Sequence, residues 1–209
     1  QAYGAKFRGK VTGALGDLAT TSFFPAKPLG CYGDGGAILT DDDDLAELLV
    51  SLRFHGKGSH KYDNERIGMN SRLDTLQAAI LLEKISIYED EIKSRNRVAS
   101  RYQEGINSGN FLIPKVPDGR ESVWAQYTLT ALTTELRDAA VGKLNDCGVS
   151  TAVYYPRPLH LQSAYSQFPT SPNGLAVSEE LSKTVFSIPM HPYLDTASQD
   201  RIIGLLNAI

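Results

Sequence analysis

An unprotonated lysine is an amine nucleophile and can form a Schiff base with a carbonyl carbon. Lys27 stands in the run Thr21-Ser22-Phe23-Phe24-Pro25-Ala26-Lys27-Pro28-Leu29-Gly30, with a hydroxyl pair just before it and Gly35 and Gly36 close behind. Its neighbours are apolar, and apolar surroundings favour the neutral amine. The competing reading is a solvated lysine in the loop after a strand. Ser22 lies five residues ahead. At a strand end its hydroxyl can donate to a phosphate oxygen while the lysine reaches an aldehyde carbon, or it can bond to the backbone. Thr21 should face the opposite side of the strand, because side chains alternate.

Other positions could contact an anion. Asn70, in Gly68-Met69-Asn70-Ser71-Arg72, reads as the N-cap of the helix that follows, and a helix N-terminus also suits an anion. Arg72 can bind a carboxylate or phosphate in bidentate fashion, or pair on the surface with Asp74 or Glu83. The loop Arg53-Phe54-His55-Gly56-Lys57-Gly58 mixes cations with glycine; it fits an anionic ligand or a solvated linker. Tyr154-Tyr155-Pro156 and Leu159-His160 form a further candidate group, with His160 equally a satisfied structural histidine. His191, between Met190 and Pro192, is a poorer candidate. The acidic run Asp41 to Asp44 reads as a helix N-terminus rather than a metal site.

Composition narrows the classes. The chain has 209 residues, 42% hydrophobic and 22% charged, with net charge -3. This is globular composition with a core of useful size. It lacks the basic excess of a nucleic-acid binder, and no apolar run reaches a membrane span. Two cysteines, Cys31 and Cys147, lack metal-ligand spacing. With no signal-peptide pattern, a reduced cytoplasmic protein is expected, with no metal.

The elements that must hold these residues alternate. Gly4, Gly9, Gly13 and Gly16 suggest turns and a short hairpin. Strands are expected over 18–24, 36–40, 123–132 and 150–155. Helices are expected from Thr40 or Asp41 to about Phe54, from Ser71 or Asp74 through Tyr102, and over 134–146, 177–184 and 197–208. The long polar stretch 55–69 reads as a loop of functional length. So long a helix bends or links two domains, which places a boundary near residues 85–95: 1–90, the end of a large domain, and 91–209, a small α/β domain.

The segments GDLATTSFFPAKPLGCYGDGGAIL (16–39) and SLRFHGKGSHKYDNERIGMNSRLDTLQAAI (51–80) resemble two signatures of the pyridoxal-phosphate-dependent nucleotide-sugar aminotransferases, the DegT/DnrJ/EryC1/StrS family. The resemblance covers essentially the whole chain. It is nearest to bacterial enzymes that aminate the 3-keto group of a UDP-linked N-acetylglucuronate derivative. Related sugar dehydratases carry His where this chain has Lys27, which argues for transamination.

The resemblance implies an α/β fold of the aspartate-aminotransferase type (fold type I), a homodimer with shared active sites, and pyridoxal 5'-phosphate on Lys27. It also implies Ser22 at the cofactor phosphate, Gln1 against the cofactor ring, and Asn70 reaching the partner's cofactor phosphate. Substrates would be L-glutamate and a keto sugar nucleotide for bacterial surface polysaccharide, with Arg72, Tyr155 and His160 on the substrate side. Family members often show His-Tyr-Pro where this chain has Tyr154-Tyr155-Pro156, which weakens any role for position 154. The family's Asp that pairs with the pyridinium nitrogen falls three residues before Gln1, so the chain reads as the C-terminal part of a longer protein. A catalytically silent regulatory or assembly subunit of the same fold is the alternative.

Overall fold

The computed structural model describes residues 1–60 and 62–209. In chain order the elements are β1 (Lys6–Phe7), β2 (Lys10–Val11), β3 (Ala19–Ser22), β4 (Gly36–Leu39), α1 (Asp43–Arg53), α2 (Thr75–Gly105), β5 (Phe111–Leu112), β6 (Arg120–Glu121), β7 (Tyr127–Ala131), α3 (Thr134–Asp146), α4 (Ala176–Thr184), β8 (Val185–Ile188) and α5 (Thr196–Asn207). They form two compact units: Gln1–Ile92 with Val116–Ala125, and Lys93–Lys115 with Gln126–Ile209. Helix α2 contributes to both.

In the first unit the glycine-rich opening folds as a hairpin, β1 against β2, and β6 pairs with the other edge of β1. Strands β3 and β4 pair antiparallel, with Ser22 opposite Gly36. Asp42 caps α1 by accepting from the Leu45 amide at 2.9 Å, and Asp43 and Asp44 fill its first turn. The acidic run therefore serves the exposed amides of a helix start. The core of this unit gathers Phe23, Leu29 and Cys31 from around the Lys27 segment with Leu81 and Tyr88 of α2. Burying large apolar side chains contributes about 1.5–3 kcal/mol each, so the segment that carries Lys27 is anchored on both sides.

The second unit is a three-stranded antiparallel sheet, β5-β7-β8, with α3, α4 and α5. Along β7, Tyr127, Leu129 and Ala131 are buried while Thr128 and Thr130 are half-buried, the period-2 pattern of a strand with one covered face. Tyr102 and Tyr127 meet at 4.9 Å between ring centroids, Phe111 and Phe186 edge-to-face at 5.6 Å. The Tyr102 hydroxyl donates to the Pro189 carbonyl at 2.9 Å.

Two expectations change. No strand forms over 150–155; only Ala152 bridges to Ser187, because the segment turns away after one pair. The strand expected from Val123 starts at Tyr127. Val123 and Trp124 are buried within the first unit, and Trp124 takes a positive φ of 47° that no extended strand uses.

Candidate active site

Lys27 sits on a backbone excursion between β3 and β4 that closes on itself. The Phe23 amide donates to the Gly35 carbonyl and the Cys31 amide to the Phe23 carbonyl, both at 2.8 Å. Within it, the Lys27 amide donates to the Phe24 carbonyl at 2.8 Å, a turn that brings the chain back toward the end of β3. Gly30 makes this possible: a Cβ there would lie 2.6 Å from the Phe24 carbonyl oxygen. Lys84 of α2 ties the excursion down by donating to the Gly30 carbonyl. Lys27 itself is half-buried.

Ser22 ends β3 and its Oγ accepts from the Phe24 amide at 3.2 Å. That bond uses a lone pair and leaves the hydroxyl proton to donate elsewhere. Thr21, on the alternate face, has a buried Oγ1 with no hydrogen-bond partner among the described residues. Gln1 is exposed, and its backbone nitrogen lies near enough to Lys27 to sense its charge. Gln1 and Lys27 therefore share one electrostatic neighbourhood.

Asn70 does not cap α2, which begins five residues later at Thr75. Instead Asn70 bridges to Phe54. The Met69 amide donates to the Leu52 carbonyl at 2.8 Å and the Ser71 amide to the Arg53 carbonyl at 3.0 Å. The described residues between them, 55–60 and 62–69, form a folded excursion rather than a slack linker. Gly56, buried at φ +72°, packs so tightly that a Cβ would meet the Arg66 carbonyl oxygen at 1.8 Å. Arg72 takes neither surface partner expected of it: its Nε donates to Oδ1 of Asn70 at 2.9 Å, and its guanidinium lies 5.7 Å from the Phe54 ring centroid.

Tyr155 and His160 lie in the second unit. Tyr155 is 67% exposed and meets the Tyr154 ring at 5.7 Å. Together with His160, Phe168 and Leu181 it lines a groove of about 670 Å³. His160 is engaged: its Nε2 lies 3.0 Å from Oε1 of Glu179 on α4. His191, further along, is held below the usual histidine pKa by burial and then by the Arg95 cation. Sequence reasoning missed Glu179 as the histidine's partner and Phe54 as the ring beneath Arg72. Neither contact has a local signal, since each joins residues 18 or 19 apart.

The DegT/DnrJ/EryC1/StrS aminotransferase family matches residues 1–207. The chain is 46% identical over 198 residues to the UDP-2-acetamido-2-deoxy-3-oxo-D-glucuronate aminotransferase of Pseudomonas aeruginosa, covering 95% of this chain and 53% of that one. It is 41% identical to a pleiotropic regulatory protein of Geobacillus stearothermophilus, covering 97% of this chain and 54% of that one. A crystal structure of an aminotransferase of the family from Brucella abortus superimposes with a TM-score of 0.95 at 50% identity, over 100% of this chain and 55% of that one. The chain thus spans about half the length of the relatives it matches.

Proposed function

Because this chain belongs to the DegT/DnrJ/EryC1/StrS aminotransferase family, we propose that its protein moves an amino group from L-glutamate to a keto group of a nucleotide-linked sugar. The sugar is of the UDP-3-keto-N-acetylglucuronate type, for bacterial surface polysaccharide. The observation that carries this reading is the closed turn on which Lys27 stands, just past the strand-end Ser22.

The family's cofactor is pyridoxal 5'-phosphate. The donor set fits it: a primary amine, a hydroxyl with its proton uncommitted, and a glutamine in the same electrostatic neighbourhood. When bound, the cofactor supplies an aldehyde for amine exchange and an electron sink. In this proposal Lys27 Nζ would hold the cofactor and, as a free amine, would move a proton at the substrate carbon. Ser22 Oγ would donate to the cofactor phosphate. Gln1 would be the residue beside the ring. Arg72 presents its two terminal amino groups to the anionic substrate. In the second unit, Tyr155 and His160 would be the substrate-side residues, with His160 also engaged by Glu179.

The protein acts as a homodimer, each subunit lending Asn70 to the other's phosphate site. The test is visible absorbance: the intact protein should be yellow, bleach with L-glutamate, and recover colour with one member of a panel of 3- and 4-keto nucleotide sugars. A yellow protein that glutamate leaves unchanged would support the alternative, a silent regulatory subunit. The likeness to a protein named for pleiotropic regulation favours that alternative.

A further inference from the structure

Phe54 belongs to no cofactor or substrate role above, yet its ring touches two guanidinium groups. Arg72 lies 5.7 Å and Arg53 5.0 Å from the ring centroid. The backbone dictates the contact with Arg72. Phe54 and Asn70 are opposite one another in an antiparallel bridge, and the flanking amides of His55, Met69 and Ser71 pair across the same two segments. Arg72, two residues beyond Asn70, is therefore the diagonal neighbour of Phe54 on one face, within reach of a long side chain. The ring lies to one side of the guanidinium and Asn70 Oδ1 takes its Nε–H at 2.9 Å. The two terminal amino groups remain for a bidentate acceptor. Arg72 is otherwise exposed, and a free arginine of this kind samples many rotamers.

We infer that Phe54 is a positioning residue: its ring, with the Asn70 carboxamide, holds the Arg72 guanidinium in the pose that receives the diphosphate of a nucleotide. This rests on the reading of Arg72 as a substrate contact. The acceptor is a paired-oxygen anion, which the diphosphate of a nucleotide supplies; a carboxylate offers the same oxygen pair, and uridine 5'-diphosphate, which has no carboxylate, tells the two apart.

The experiment titrates uridine 5'-diphosphate into the intact protein by calorimetry, for wild type, Phe54→Leu, Phe54→Tyr, Arg72→Leu and the Phe54→Leu/Arg72→Leu double variant. Bleaching by L-glutamate serves as the control for an intact site. Phe54→Leu should weaken uridine diphosphate roughly tenfold, within the range of aromatic contacts to a cation, with glutamate bleaching unchanged. Phe54→Tyr should restore affinity to within about twofold, since the tyrosine ring offers the same face. The double variant should be no weaker than Arg72→Leu alone, because the ring acts only through the guanidinium. Additive losses in the double variant, or no loss in Phe54→Leu beside a clear loss in Arg72→Leu, would overturn the positioning role alone. No loss in Arg72→Leu would overturn the substrate role of Arg72 and this inference with it.

Discussion

Arg72 donates from Nε to Oδ1 of Asn70 at 2.9 Å, and this bond decides which edge of the Asn70 carboxamide is left over. With the oxygen engaged, the Nδ2 amino group is the remaining edge, a donor suited to an anion. The two residues whose roles were read separately are thus coupled. One arginine orients an amide donor and leaves its own terminal amino groups available to an anion.

The coupling predicts an asymmetric loss. Arg72→Leu in the intact protein should raise the KM for the nucleotide sugar roughly ten- to a hundredfold, the scale of a hydrogen bond to a charged group. Cofactor affinity should fall far less, because Asn70 keeps its donor and loses only its orientation. Equilibrium dialysis of the cofactor beside steady-state kinetics separates the two. An unchanged KM with collapsed cofactor affinity would place Arg72 at the cofactor instead.

Lys27→Ala should remove both the borohydride-trappable adduct and turnover, with a loss of about 10²–10⁴ or more in kcat from proton transfer alone. Among the described residues, no other lysine stands on a closed excursion that begins at a strand-end serine. Peptide mapping after borohydride reduction checks it. A variant that still traps the adduct and turns over at the normal rate moves the nucleophile elsewhere.

Gly30→Ala tests whether the closed excursion is needed for Lys27. A Cβ there would approach the Phe24 and Pro25 carbonyl oxygens to 2.6 and 2.7 Å, and these are backbone atoms that cannot swing aside. Overpacking of this kind costs about 1–3 kcal/mol, and the turn that opens is the one that carries Lys27. Denaturant unfolding should show the loss, together with a lower fraction of bound cofactor. An unchanged midpoint with full cofactor loading would show that the excursion has slack.

What the sequence showed of this architecture depended on whether the decisive contacts were local. Helix α3 begins after Thr133, whose hydroxyl accepts from the Leu136 amide at 3.2 Å; cap and periodicity lie within one window, so the helix was legible. The Lys27 segment was legible because amine, hydroxyl and glycines are neighbours in sequence. Asn70 was misread as a helix cap because its real partners, Phe54 and Arg72, depend on a bridge across a 15-residue excursion. Val123 and Trp124 fit a strand by composition, but burial in the first unit outweighed that preference.

The core of the second unit gives a prediction on stability. Leu144 of α3 is fully buried, and truncating such a leucine costs about 2–5 kcal/mol through lost transfer energy and a residual cavity. Leu144→Ala should lower the unfolding midpoint sharply, whereas Val177→Ala on α4, 74% exposed, should change it by less than about 0.5 kcal/mol. Equal effects at the two sites would mean that α3 is not packed as described.

The proposal that two subunits share each active site has the sharpest test. Asn70 lies 43 residues beyond Lys27, on the far side of a folded excursion, with its Oδ1 already engaged by Arg72. If its remaining amide edge serves the partner's cofactor phosphate, a twofold axis requires each subunit to lend one Asn70 and receive another. Lys27→Ala and Asn70→Ala should each impair the intact homodimer severely. In a mixed dimer, one site collects both defects, while the other combines an intact Lys27 from one subunit with an intact Asn70 from its partner. Activity should therefore return on mixing, toward half of the wild-type value per mixed dimer. Subunit exchange must be verified independently, by mass spectrometry of differently tagged chains. If exchange is complete and no activity returns, Asn70 serves its own subunit, and the Arg72–Asn70 pair acts within one chain.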